Sequence, residues 1–287
     1  MRDHDHIPLR ETEFVVFDTE TTGLSSLSSL VELGAVKMRG FKVVDTFHSL
    51  IRPWNNIPQE SARVHGISQE MVRHAPETEE VLASFREFSK ESVLVAHNAP
   101  FDLKIIAVHL QRLGEPLWEN RIIDTCRVSK RHFPEVGSHS LEYLCKVWRS
   151  PFEGQHRALE DARHTAFVMS RMANKMGIDH STSVSKLMEL WGPPLQMKRF
   201  SLEHALLNAS PAVREKVDRL QRAIQEERLV SYTYLKGGEQ RQPIEGVIPK
   251  SVFSPGDKIY LEVLPHNGWG RPMVCRIDWI LHLEEEA

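Results

Sequence analysis

Four apolar residues in succession, Phe14 to Phe17, run into alternating acids and threonines, Asp18-Thr19-Glu20-Thr21-Thr22, before Gly23 and Leu24. The apolar run predicts a buried strand, and the period of two along a strand turns Asp18 and Glu20 to one face. Val31 to Met38 and Phe41 to Ile51 are β-rich and separated by Arg39-Gly40, which predicts an antiparallel meander. Ser68 reads as the N-cap of a short helix over Gln69 to His74. Glu77 to Lys90 is amphipathic, with Val81, Leu82, Phe85 and Phe88 on one side. Ser92 to Ala96 predicts a fourth strand, and Pro100 suits the first turn of a helix that ends near Gly114. Arg121 to Thr125 reads as a fifth strand, followed by helices around 126–132 and 140–147 and from Ala158 to Met176. Meander first, then alternating helix and strand, predicts an α/β fold with a mixed sheet flanked by helices.

The pattern changes near Gly177. Ser181 to Ser185 and Gly192-Pro193-Pro194 read as linker with short helices between them. Val213 to Leu229 is helical by periodicity. Val230 to Tyr234, Val247 to Phe253, Lys258 to Leu264 and Met273 to Leu283 are β-type runs, parted by turn signals at Gly237-Gly238, Pro255-Gly256-Asp257 and Asn267-Gly268. One helix and several short strands predict a small, separate β-barrel or rolled sheet. The expected division is a domain over 1–178, a linker over 179–212 and a second domain over 213–287.

Composition adds limits. Hydrophobic residues are 41% and charged residues 26% of 287, and a net charge of -3 excludes a generally cationic surface, so any nucleic-acid contact must use a local patch or bound metal ions. Cys126, Cys145 and Cys275 are widely spaced, which argues against disulfide frameworks or zinc ribbons and for reduced, cytoplasmic thiols. The start, Met1-Arg2-Asp3-His4-Asp5-His6, lacks the apolar core of a signal peptide, and no apolar run is long enough to span a bilayer.

The chemistry concentrates in three places. Asp18 and Glu20 on one strand face repel each other and lose hydration, and a divalent cation with oxygen ligands relieves both costs. Asp102 falls in the first turn of a helix, at the positive end of its dipole. His156 and Asp161, five residues apart, do not share a helix face, so a common site requires His156 in the loop before the helix. Asp124 reads equally as a distant member of this site and as a cap of the following helix.

Phe17-Asp18-Thr19-Glu20-Thr21-Thr22-Gly23, His97-Asn98-Ala99-Pro100-Phe101-Asp102 and His156-Arg157-Ala158-Leu159-Glu160-Asp161 resemble, in order and spacing, the three motifs of the DEDDh (DnaQ-like) 3′–5′ exonucleases. That family includes the proofreading subunit of bacterial replicative DNA polymerase, RNase T and oligoribonuclease. The resemblance covers about residues 12–176. It implies a ribonuclease-H-like five-stranded fold, with Asp18, Glu20, Asp102 and Asp161 as ligands of two divalent ions, Mg²⁺ or Mn²⁺. Asp18 is the best candidate to bridge both ions, and His156 is implied as general base. The Thr21, Thr22 and Gly23 backbone and Leu24 are expected to meet the terminal nucleotide. His65, His97 and Asn98 are further candidate substrate contacts, beside plainer roles in a turn and a helix cap. The expected substrate is a 3′ end of DNA or RNA, with single-stranded DNA favoured and nucleoside monophosphates released. Proofreading, repair and a polymerase partner all fit this expectation.

Leu220 to Ile224, Ser231 to Tyr234, Val247 to Pro249, Ile259 to Leu261 and Arg276 to Ile280 resemble a WYL domain, a module similar to Sm/SH3-like barrels. Ile259 stands where the name-giving tryptophan would be. The resemblance implies a regulatory or substrate-binding role, with dimerisation as another use; Arg241, Arg271 and Arg276 are candidates to converge on an anion, beside plain exposed salt bridges. A catalytically silent nucleic-acid end-binding or nucleotide-sensing regulator is the rival reading of the whole chain.

Overall fold

The computed structural model describes residues 6–236, 239–240, 243–266, 270 and 272–286. The two glycine turns at 237–238 and 267–268, the residues before His6, and Arg241 and Arg271 lie outside the described residues. The chain divides into two compact units, Met1–Ile106 with Trp118–Gln196, and Ala107–Leu117 with Met197–Ala287.

The first unit is built on β1 (Glu13–Thr21), β2 (Leu30–Arg39), β3 (Lys42–Leu50), β4 (Val93–Ala96) and β5 (Ile122–Asp124), in the order β3-β2-β1-β4-β5. β1 pairs antiparallel with β2 and β2 with β3, while β1, β4 and β5 run parallel. This is the mixed five-stranded sheet that the apolar pattern predicts. Helices α1 (Gln59–His65), α2 (Thr78–Phe88), α3 (Pro100–Arg112), α4 (Thr125–His132), α5 (Leu141–Trp148) and α6 (Ala158–Lys175) follow. Phe14, Val16, Val36 and Val95 from the sheet pack with Val168, Met169 and Met172 of α6 in one core.

One expected helix is absent. Residues 69–74 form successive turns, held by Met71 N–H to Ser68 O and Arg73 N–H to Glu70 O. The helix sits earlier, at α1, where Gly66 at φ 71° ends it in the left-handed conformation open to glycine. Residues 179–212 are divided between the units. Val184, Leu187, Met188 and Trp191 of α7 (Val184–Trp191) are buried in the first unit's core. A 3₁₀ turn and α8 (Leu202–Leu207) belong to the second unit.

The second unit adds α9 (Pro211–Gln225), capped by Ser210, and strands β6 (Val230–Lys236), β7 (Glu239–Gln240), β8 (Ile244–Phe253), β9 (Tyr260–Leu264), β10 (Met273–Arg276) and β11 (Ile280–Glu285). The run read as one strand over Met273 to Leu283 is broken by a 3₁₀ turn at Ile277–Trp279. The strand order is β10-β9-β8-β6-β11, with β7 on β6, so among the described residues the expected barrel does not close. β10 and β11 are the two ends of this order, and the turn between them sends each to a different neighbour. Gln111 pins this unit, donating to the carbonyls of Phe200 and Ser254 and accepting the N–H groups of Leu202 and Ser254. Among the described residues, no helix is long and apolar enough to cross a membrane.

Candidate active site

The alternation on β1 keeps Asp18 and Glu20 half-buried between the buried Thr19 and Thr21. Asp161, in the first turn of α6, joins them: one carboxylate oxygen from each of the three lies within 4.8 Å of the others. Asp102, on the first turn of α3, is 3% exposed, and the Thr19 hydroxyl donates to its Oδ1 at 2.6 Å. Asp102 stands outside the group of three but is the neighbour that raises Asp18 most.

Burial is the largest cause of the site's electrostatics. It pushes Asp18 well above the usual carboxylate range, with Asp102, Asp161, Glu20 and Glu32 adding to the effect. Glu20 is pushed up to about 8 by burial and by its acidic neighbours, and Asp102 to about 7, mainly by burial. Burial raises Asp161 as well. Three converging oxygen donors that resist ionisation when alone fit a hard divalent cation, whose charge would remove the reason for the resistance.

These shifts carry a sign. A carboxyl that titrates higher folded than unfolded stabilises the fold below its unfolded value, and loses that contribution as pH rises through its folded value. The metal-free protein is therefore expected to melt several degrees lower at about pH 8.5 than at about pH 5.5. Added Mg²⁺ or Mn²⁺ should make up the stability lost at the higher pH, and Glu20→Gln should flatten the difference. Equal melting temperatures in EDTA at both pH values would contradict this account.

His156 lies in the loop before α6, as the five-residue spacing requires. It is exposed and left-handed at φ 59°, and its N–H donates to Asp161 Oδ2 at 3.0 Å. His164, one turn beyond Asp161, holds the same loop through Gly154 O at 2.8 Å and Ser150 Oγ at 2.9 Å.

The turn after β1 is stapled internally. The Thr21 hydroxyl donates to Gly23 O, Thr22 Oγ1 accepts Ser29 N–H, and the Ser61 hydroxyl donates to Thr22 O. These bonds leave Leu24 at the tip, 91% exposed. His65 is 3% exposed; its Nδ1 accepts Ile67 N–H, and burial lowers its pKa. His97 gives Nε2–H to His139 O and accepts the Thr125 hydroxyl, with burial again keeping the ring neutral. His65 and His97 thus buttress their turns. Asn98 is exposed at φ 63°, its N–H held by Asp124 Oδ1, which also caps α4. Arg276 is far from bare: it donates to Asp278 Oδ1 at 3.0 Å and lies 4.5 Å over the Trp279 ring.

Two participants have no motif signature. Glu32 on β2 faces Glu20 across the ladder, and Gly34 faces Asp18. A Cβ on Gly34 would collide with the backbone of Ala158 and Leu159, so this glycine lets the start of α6 approach the sheet. Gly34→Ala is expected to push Asp161 away from Asp18. Displacement of about 1 Å would cost on the order of 10²-fold in turnover, and overpacking about 1–3 kcal/mol in stability. Wild-type turnover and melting in this variant would show that the contact is not needed.

Comparison with known proteins agrees with this geometry. The Exonuclease (RNase T) family model matches residues 15–169, more than half of the chain. A PolC-type DNA polymerase III from Caldanaerobacter subterraneus subsp. tengcongensis is 40% identical over 178 residues, 62% of this chain but only 13% of that protein's length. Among solved structures, exonuclease X in complex with 5′ overhanging duplex DNA is 26% identical, with a TM-score of 0.50, over 63% of this chain and 99% of that one. Exonuclease I of E. coli in complex with a dT13 oligonucleotide shares the fold at 16% identity and a TM-score of 0.52, over 89% of this chain and 55% of that one. With its mixed sheet and converging carboxylates, the chain belongs to the Exonuclease family, as an enzyme of the DnaQ-like, ribonuclease-H-like type.

Proposed function

We propose that this protein is a metal-dependent 3′–5′ exonuclease that removes nucleoside monophosphates from the 3′ end of nucleic acid, with single-stranded DNA favoured. The convergence of Asp18, Glu20 and Asp161, with Asp102 beside them and His156 on the adjoining loop, carries this reading. Asp18, Glu20 and Asp161 would hold one divalent ion, and Asp18 with Asp102 a second. Bound there, Mg²⁺ or Mn²⁺ supplies Lewis acidity for the attacking water and the leaving 3′ oxygen. His156, on the loop beside Asp161, takes the proton of that water, the general-base role that imidazole side chains fill most often. Gly23 and the exposed Leu24 meet the terminal nucleoside, and Asn98 is free to approach it.

The likeness to PolC-type polymerases and to exonuclease X with DNA supports DNA over RNA, and supports proofreading or repair with a polymerase as a possible neighbour. The second unit is read as a rolled sheet of the Sm/SH3-like or WYL kind, with a regulatory, substrate-binding or dimerising role. The silent-regulator reading is disfavoured, because a cluster of four mutually repelling acids is costly to hold, and a bound cation offsets that cost while serving hydrolysis.

End-labelled oligonucleotides test the proposal. A 5′-labelled DNA single strand should yield a descending ladder with Mg²⁺ or Mn²⁺ and none in EDTA, and RNA and blunt duplexes should be degraded more slowly. A circular strand cut at a similar rate, or activity that persists in EDTA, would overturn it.

A further inference from the structure

Glu32 is wholly buried, yet the sheet has no packing need for an acid there: Leu30, Val31 and Leu33 beside it are buried and apolar. It also stands across the ladder from a second acid, Glu20. A buried carboxylate in such a place is costly unless fully hydrogen-bonded. Arg157 Nε donates to its two oxygens at 3.1 and 3.2 Å and Arg157 Nη2 to Oε1 at 2.6 Å. Ala158 N–H adds 2.8 Å and His48 Nε2 2.7 Å. Burial alone would raise Glu32, but these partners outweigh it and hold the carboxyl below its usual range.

Most of these donors lie at the start of α6. Arg157 is its N-cap residue, and Asp161 N–H donates back to Arg157 O at 2.9 Å. The gripped residues thus sit between His156 and Asp161. The left-handed backbone of His156 is a conformation that non-glycine residues avoid unless their surroundings hold it. The same grip secures α6 where Gly34 admits it to the sheet.

We propose that the Glu32–Arg157 pair is a positioning clamp, which sets Asp161 against Asp18 and Glu20 before any cation arrives. This rests on the reading of those three acids as cation ligands. The clamp acts through the helix start and touches neither cation nor substrate, so it governs metal affinity and turnover rather than substrate binding.

The test uses the full chain with Arg157→Leu, which takes the charged partner from a buried acid, and the double variant Glu32→Leu/Arg157→Leu, which replaces the pair by apolar side chains and is expected to keep the fold. Mn²⁺ binding is measured by electron paramagnetic resonance without substrate, and kcat and KM on a 5′-labelled DNA strand. Mn²⁺ affinity should fall roughly 10- to 100-fold in the double variant, with kcat falling in parallel. KM should stay within about twofold, and excess Mn²⁺ should recover much of kcat. Should Arg157→Leu not fold, the double variant decides alone. A folded double variant with wild-type Mn²⁺ affinity overturns the clamp, as does a raised KM at unchanged kcat. Wild-type protein that neither binds Mn²⁺ nor trims 3′ ends would instead overturn the reading beneath it.

Discussion

Asp18→Asn should abolish hydrolysis and, in EDTA, make the protein more stable. The amide keeps the shape of the acid and removes its charge, so the change reports on electrostatics rather than packing. Asp18 is the acid on which Asp102, Asp161, Glu20 and Glu32 all act. Without it, the proposed ion sites lose their shared ligand, and a turnover loss of roughly 10⁴-fold or more, about 5–6 kcal/mol of barrier, is expected. The same change relieves repulsion within a buried cluster, so the metal-free melting temperature at about pH 8 should rise while the gain from added Mn²⁺ shrinks. Opposite movement of stability and activity is the signature of a site built for a cation. Retained turnover, or a fall in both quantities, would contradict it.

The second large effect is expected at His156. Asparagine tolerates the left-handed backbone there, so His156→Asn leaves the N–H bond to Asp161 in place while removing the proton acceptor. Loss of a general base should lower kcat by roughly 10²–10⁴-fold and leave KM and Mn²⁺ affinity near wild type. A parallel loss of oligonucleotide binding would make His156 a substrate-positioning residue instead. Its exposure is consistent with a group that meets its proton only once substrate is bound.

The elements of the first unit were legible because their signals are local. The apolar run Phe14 to Phe17, the Arg39-Gly40 break and the Pro100 helix start each act within a few residues, and the strands and helices fall where these signals put them. The helix expected over 69–74 failed for a local reason too. Serine capping serves a turn as well as a helix, and Ser68 Oγ accepts Met71 N–H in a turn. In the second unit, the run from Met273 to Leu283 carries no Gly or Pro to mark its break, so the 3₁₀ turn inside it could not be seen.

For the site, the sequence alone placed Asp18 and Glu20 on one strand face and required a loop before α6 if His156 and Asp161 share a site, since strand alternation and helix rotation are fixed by backbone geometry; the four acids and the histidine as one set are what the motif resemblance implies. Tertiary structure decided which groups surround them. Glu32 looks like one more residue in a β-rich run until the ladder sets it opposite Glu20 and α6 brings Arg157 onto it. Gly34 looks like a weak point in a strand until a helix start more than a hundred residues later needs the room of its missing Cβ. His65 and His97 stand in the sequence as candidate substrate contacts or as turn residues, and only folding shows that the first is buried and that both ring nitrogens of the second meet Thr125 and His139. Periodicity reports the face a side chain takes, but its partners come from chain segments that only the folded topology brings near.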